Sequence, residues 1–266
     1  MTTSTIPDTH TWATLGTEGR NTYRVSDSVI DMRRPAPSGP TTRLTAEPQD
    51  VLIDLARTAL VIVDMQNDFC SKDGWIASLG IDFAAGRALV DPINRAAAAM
   101  RACGAPVIWL NWGVRPDRAN LSPGTQHPFN PNGQGPGLAG STTFGRRTYK
   151  VLQQGEWVAR LIDGLTGEAS DICVDKHRIS GFYDTPLDSI LKNHGISTVL
   201  FAGVNADHCV LGTLMDANFH GYDTIMLEDC VATTSPDFCM QATLHNVRFC
   251  FGFTTTSTVL AEALNP

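Results

Sequence analysis

The sequence carries no excess of positive charge. Its 20 Lys and Arg residues stand against 27 Asp and Glu, for a formal net charge of −7 and a pI near 5.4. A nucleic-acid partner normally leaves a basic patch or stripe, so that class of function is disfavoured. No apolar run approaches the length of a bilayer span, and the opening MTTSTIPDTHTW lacks a basic-then-apolar leader pattern. The expectation is a cytoplasmic protein with no membrane partner. Any CxxC pair is also missing: the cysteines stand at 70, 103, 173, 209, 230, 239 and 250. Reduced thiols follow, most of them packing as small buried hydrophobes, with one or two left for chemistry. No Gly-rich phosphate-binding fingerprint follows the first strand, so no organic cofactor is expected.

What is present suits one α/β domain: 266 residues, 42% of them hydrophobic. Residues 1–50 differ from the rest. The stretch DMRRPAPSGPTTRLTAEPQD is proline-rich and has no apolar period, which predicts an extended N-terminal arm. Trp12 and Tyr23 are its candidate anchors, on its own domain or on a neighbouring subunit. Residues 51–266 form the domain proper.

Beyond residue 58, β-rich runs alternate with helical patterns. Strands are expected at 59–63, 106–111, 171–175, 198–203, 223–228 and 248–254, most of them continuously apolar, as in a parallel sheet buried on both faces. DPINRAAAAMRACG reads as a helix capped by Asp91, with Pro92 in its first turn and Gly104 as its stop. TPLDSILKNHG has Thr185 as cap, Asp188 closing a capping box and Gly195 as terminator. SPDFCMQATLHN starts the same way at Ser235-Pro236, and EWVARLIDGL sets Trp157, Val158, Leu161, Ile162 and Leu165 on one helical face. Strand and helix in alternation predict a doubly wound, six-stranded parallel sheet flanked by helices. In that architecture ligands bind beyond the carboxyl ends of the strands.

Three strand ends then carry chemistry. Asp64 follows ALVIV, Lys176 follows ICVD, and Cys209 comes soon after TVLFAG, in the first turn of a helix. A thiol there meets the helix dipole and unsatisfied N–H groups, which favour thiolate and suit an oxyanion. Asp64 is placed to take the thiol proton and return it to a leaving amine, with Lys176 holding the carboxylate. Each residue alone has a plainer reading: Asp64 as a helix cap, Cys209 as packing, Asp175-Lys176 as a solvated corner. Their joint placement favours chemistry.

LVIVDMQNDFC, VDKHRISGFYDTPLDSIL and LFAGVNADHCVLGTLMDANFHGYDTIMLEDCVATTSP resemble the cysteine hydrolases of the isochorismatase-like superfamily, over residues 58–264. The resemblance implies an Asp64–Lys176–Cys209 triad and a three-layer α/β/α fold. It also implies a cis peptide at Val204–Asn205 that helps to present the Ala206 and Cys209 amides as an oxyanion hole. Metal-binding relatives carry an Asp and paired histidines after the second strand. Here NWGVRPDRANLSPGTQHPFNP offers His127 alone, so no metal is expected. His177 and His208 are read as surface or hydrogen-bonded histidines.

SGFYDTPLDSIL resembles the ureide amidohydrolases of the superfamily. That implies cleavage of a terminal carbamoyl C–N bond of a small linear ureide, triuret or biuret in type, with release of ammonia. Ureidoacrylate or an N-carbamoyl amino acid is the alternative substrate. Asn67, Asn111, Arg115, Arg118, Arg178 and Asn205 are candidate substrate contacts, and Phe69, Trp112, Phe182 and Tyr183 candidate walls. For any single arginine a solvated loop charge is an equally good reading. A homo-oligomer, most simply a tetramer, is the implied assembly. The rival readings are a non-catalytic binder of small amides, and a redox protein pairing Cys209 with Cys230 or Cys239.

Overall fold

The computed structural model describes residues 11–33 and 38–264. Within the segment expected to be an extended arm, β1 (Ala13–Thr17), β2 (Asn21–Val25) and β3 (Ile30–Asp31) pair antiparallel. β4 (Thr41–Leu44) and β5 (Val51–Asp54) form a second antiparallel pair. The departure from a plain extended arm has a local cause. Tyr23 and Val25 stand at alternate positions of β2 and suit pleated pairing, and β1–β3 contain no proline, the segment's proline-rich stretch coming after them. Arg20 reaches the carbonyls of Ala56 and Gly104, and the Asn21 amide donates to Asn193 Oδ1 at 2.9 Å. These contacts seat the segment on its own domain. Arg24 lies 4.6 Å over the Trp12 ring.

The central sheet is the six-stranded parallel one expected, but its last strand is shorter than the expected 248–254: Val247–Phe251 is a π-helical turn, and only Phe253–Thr255 pairs with the sheet. Its strands are β6 (Thr58–Val63), β7 (Val107–Trp112), β10 (Ile172–Lys176), β11 (Thr198–Gly203), β12 (Asp223–Val231) and β13 (Phe253–Thr255). The hairpin β8 (Ser141–Phe144) and β9 (Arg147–Lys150) lies outside it. The spatial order is β10-β7-β6-β11-β12-β13. The first strand of this sheet is therefore central, and the order in which strands are added reverses between β6 and β11. Every residue of those two strands is buried. Ala59, Val61 and Val63 face one core, while Leu60 and Ile62 face the other.

Short helices α1 (Asn67–Cys70), α2 (Trp75–Ser78) and α3 (Ala84–Arg87) follow β6, and α5 (Pro123–Gln126) lies in the long connection after β7. One face is covered by α4 (Val90–Ala102), through Ile93, Ala96, Ala97 and Met100, and by α9 (Ser257–Leu264), through Leu260. The other is covered by α6 (Leu187–Asn193) and α7 (Leu211–Phe219), with α8 (Asp237–Asn246) beside them.

Three helix signals read differently in detail. α4 starts at Val90 without a side-chain cap, so Asp91 lies inside its first turn. Before α6 the cap position is held by Pro186, without a side-chain bond, while the Thr185 hydroxyl one residue earlier accepts from the Leu187 N–H at 3.1 Å. EWVARLIDGL forms only a 3₁₀ turn at Trp157–Ala159. Its apolar residues divide between the two cores instead of sharing a stripe, Val158 in one and Ile162 in the other. The backbone there pairs with the loop after β6, Asn67 N–H to Arg160 O at 3.0 Å and Ile162 N–H to Met65 O at 3.1 Å, and that pairing overrides the helical period.

Candidate active site

The reversal between β6 and β11 opens a crevice at their carboxyl ends, and the chain places its chemistry there. Asp64 is the first residue beyond β6, with φ of +53°. Asp tolerates this left-handed conformation better than most residues, and here it turns the carboxyl group back under the strand end. Across the gap, Gly203 closes β11 at φ +111°, and a Cβ on it would lie 2.0 Å from the Val63 carbonyl oxygen. Only glycine lets the two strands approach so closely at this point. The Val204–Asn205 peptide that follows is cis. A π-helical turn, Ala206–Val210, then carries Cys209 and leads directly into α7.

The third residue arrives from two strands away. Lys176 ends β10 in register with Trp112 of β7. Its Nζ lies 2.9 Å from Asp64 Oδ2 and 4.3 Å above the Trp112 ring centroid, and it donates to Arg178 O at 3.2 Å. Asp64 and Lys176 are both sealed from solvent. The structure thus brings Asp64, Lys176 and Cys209 to one point from three strand ends.

Electrostatics here are set by burial. Removal from water pushes the Asp64 carboxyl above its ordinary value, and the Lys176 ammonium and the Cys209 thiol only partly offset this. Burial and the Asp64 charge push the Cys209 thiol up to about 12, against the opposing pull of Lys176 and the Trp112 indole. The resting cysteine is therefore a protonated thiol beside a carboxylate base, not the thiolate expected from helix-end placement alone. Burial first, and then the carboxylate beside the sulfur, set its protonation.

The polar run after Asp64 is buried too, and it builds the walls. The Gln66 side-chain amide donates to Trp112 O at 2.8 Å and accepts from Trp112 N–H at 2.8 Å, locking the end of β7 to the end of β6. Asp68 accepts from Trp75 N–H at 2.8 Å and Leu152 N–H at 2.7 Å. Burial raises its carboxyl to about 6 despite those bonds. Neither Gln66 nor Asp68 was singled out from the sequence. The signal was four polar side chains, Asp64, Gln66, Asn67 and Asp68, directly after a buried strand.

Cys209 opens onto a cavity of about 790 Å³. Of the expected substrate contacts, Phe69, Trp112 and Asn205 line it, and so does His208. The others lie elsewhere. Asn67 is buried and holds Trp157 O at 2.9 Å. Asn111 shares β7 with Trp112, so strand alternation turns it to the opposite face. Arg115 pairs with Asp117 and Arg178 with Asp184, the latter at 2.8 Å, both in exposed loops. Arg118 is exposed at φ +55°. Phe182 packs in the core against His220 and Tyr222, and Tyr183 is exposed.

The expected oxyanion hole also needs a correction at one amide. Ala206 N–H donates to Ala232 O at 2.8 Å and is thereby committed. Asn205 and Cys209 are the members of the turn that face the cavity. Among the described residues no group of three His, Cys, Asp or Glu side chains is arranged to hold a metal. All seven cysteines are free.

The fold and the site define the class. The isochorismatase domain family matches residues 58–259, and the chain belongs to that family and is a hydrolase of it. The chain is 36% identical over 229 residues to the ureidoacrylate amidohydrolase of Klebsiella variicola, covering 84% of this chain and 93% of that protein. It is 33% identical over 241 residues to the ureidoacrylate amidohydrolase of Methylorubrum extorquens, covering 90% and 96%. Among solved structures, a cysteine hydrolase from Pseudomonas syringae superposes with a TM-score of 0.66 at 26% identity, over 85% of this chain and 98% of that one. The N-carbamoylsarcosine amidase of Thermoplasma acidophilum does so with a TM-score of 0.56 at 28% identity, over 76% and 96%.

Proposed function

We propose that this protein is a cysteine-dependent amidohydrolase that cleaves the terminal carbamoyl C–N bond of a linear ureide and releases ammonia. The observation that carries the reading is the Cys209 thiol at the cavity floor, beside a buried carboxylate that is itself 2.9 Å from a buried lysine. The similarity to ureidoacrylate amidohydrolases supports the choice of bond.

Asp64 takes the Cys209 proton as sulfur attacks the carbamoyl carbon. The oxyanion develops against the Asn205 and Cys209 amides. When the intermediate collapses, Asp64 hands the proton to the departing ammonia, leaving a thiocarbamate on sulfur. Water, deprotonated by Asp64, attacks that carbon and restores the thiol. Lys176, 2.9 Å from the carboxylate, holds Asp64 in place. The enzyme acts in the cytoplasm on a diffusible substrate, as a homo-oligomer for which a tetramer is favoured.

The test is ammonia release from triuret, biuret, ureidoacrylate, N-carbamoyl amino acids and nicotinamide, with the Cys209→Ser variant alongside. Turnover of a ureide by the wild type and none by the variant is the expected outcome. Full activity in the serine variant would remove Cys209 from the chemistry. No turnover of any ureide would favour the small-amide binder.

A further inference from the structure

The cavity over Cys209 does not look like a site for a small polar ureide or for a carboxylate. Its outer wall is built by Trp75, Ile76, Leu79, Ile81, Phe129 and Ile179. Leu79, Ile81 and Ile179 stand 53%, 38% and 42% exposed around it. Its volume lies within the range of sites for drug-sized ligands, roughly 300–1,000 Å³, so biuret would leave most of it to water held against apolar side chains. The charge complement points the same way. Among the described residues lining the cavity there is no lysine, arginine, aspartate or glutamate. The one ionisable nitrogen base in the wall is His208, whose Nε2 sits 3.3 Å from Asp207 Oδ2. Lys176, beneath the floor, is sealed from solvent and paired with Asp64. Of the arginines in the neighbouring loops, Arg115 and Arg178 are engaged by Asp117 and Asp184, and the exposed Arg118 does not line the cavity. A carboxylate entering this cavity would find no lysine or arginine among the side chains that line it. Besides His208 and Cys209, the polar lining is neutral amides, Asn130, Asn132, Gln134 and Asn205. Asn130 is tied to Gly135, Asn132 Oδ1 to the Gln134 N–H and Asn205 Nδ2 to Thr234, so the Gln134 side chain and Asn205 Oδ1 are the groups that suit the N–H and C=O groups of a ureide.

Resting on the amidohydrolase reading above, we infer that the physiological substrate is a neutral ureide whose carbamoyl group reaches Cys209 and whose far end is an apolar group of ring or branched-alkyl size. The carbamoyl end meets the amides and the sulfur. The apolar end fills the space between Trp75, Ile76 and Phe129. Ureidoacrylate would share the scissile bond with this substrate but not the substituent.

Ammonia release from ethylurea, n-butylurea, benzylurea, biuret and 3-ureidopropionate tests the inference on the full chain. kcat/KM is expected to rise at least about tenfold from ethylurea to benzylurea, since one well-packed methylene is worth about tenfold or more. Benzylurea is expected to exceed 3-ureidopropionate by a similar factor. Leu79→Arg, at the exposed rim, is expected to lower that preference by supplying the missing cation. Equal or faster turnover of 3-ureidopropionate or biuret would overturn the inference. If no ureide is turned over, the amidohydrolase reading fails by itself. Binding to the unreactive Cys209→Ala variant, followed by quenching of the Trp75 and Trp112 fluorescence, then decides the inference separately. Tighter binding of benzylurea than of 3-ureidopropionate supports it, and the reverse order, or no benzylurea binding, rejects it.

Discussion

Two acidic residues, one near each end of the parallel sheet, show what separates a carboxylate kept for structure from one kept for reaction. Asp171 lies at the amino end of β10. It accepts from Arg101 Nε at 2.9 Å and Nη2 at 2.7 Å, from Trp109 Nε1 at 2.7 Å and from Glu168 N–H at 2.9 Å. Burial alone would raise its carboxyl, but these donors hold it below its ordinary value. Asp64 lies at the carboxyl end of β6, met by Lys176 and by a thiol, and burial keeps it above its ordinary value. The first carboxylate is saturated with donors and cannot trade protons near neutrality. The second is under-solvated, faces a cavity group, and has a proton donor for a neighbour. Such under-satisfaction marks a reacting group.

The largest effect that would break this comparison is loss of the reacting pair. Asp64→Asn is expected to reduce the ammonia-release rate by about 10⁴-fold or more, because the asparagine cannot accept the thiol proton. It should also leave Lys176 buried without a counter-charge, at a cost of about 3–5 kcal/mol in urea unfolding. Retention of near-normal turnover would show that Asp64 is another structural acid.

Lys176→Met comes next, with an expected loss of about 10²–10³-fold, the scale of removing one electrostatic partner. The pH profile sharpens the point. Only ionised Asp64 can take the thiol proton, so kcat/KM should fall as pH drops through the Asp64 pKa, which lies above 3.8 in the wild type. Lys176 holds that value down, so its removal should move the acid limb to higher pH. An unmoved limb would mean that the limb belongs to a different group.

The opposite result is expected at the other end of the sheet. Asp171→Asn should unfold at lower urea by about 1–3 kcal/mol while turnover stays within about twofold of wild type. A large loss of activity would erase the distinction drawn here.

An effect on stability alone concerns Asp68, whose carboxyl stands at about 6 in the folded protein against an ordinary 3.8. The folded state therefore binds its proton more tightly than the unfolded chain. Its contribution to stability is complete below pH 3.8 and is lost as pH rises through 6. The span is about 3 kcal/mol at the usual 1.36 kcal/mol per pKa unit. Asp68→Asn should remove that slope from urea unfolding measured between those pH values.

Much of this was readable in the sequence, and the reasons are physical. Strands buried on both faces of a parallel sheet are continuous apolar runs, so five of the six stood out, with Asp64 and Lys176 at their ends and Cys209 just beyond one; the run 248–254 misled, because its first residues form a helical turn before the short edge strand Phe253–Thr255. Strand-end placement is enough to bring residues far apart in sequence into one crevice. The walls were not readable in the same way. They come from four-residue helices and from the turn-rich stretch 128–136, where no periodicity reports which side chains face inward. Arginine in a loop carries no record of its partner, which is why Arg115 and Arg178 read as substrate contacts while the fold engages them with Asp117 and Asp184. Gln66 and Asp68 were overlooked because a polar run after a strand reads as a loop to solvent. Here it is buried, and its hydrogen bonds hold the cavity together.

The most direct test of the central claim is intact and peptide mass measurement on enzyme quenched in acid within milliseconds of mixing with saturating ureide. The expected result is a mass gain equal to the substrate less ammonia, located on the peptide that contains Cys209 and absent from Cys209→Ala. Steady turnover with the mass gain on another residue, or the same gain in the alanine variant, would contradict the assignment of Cys209 as the nucleophile.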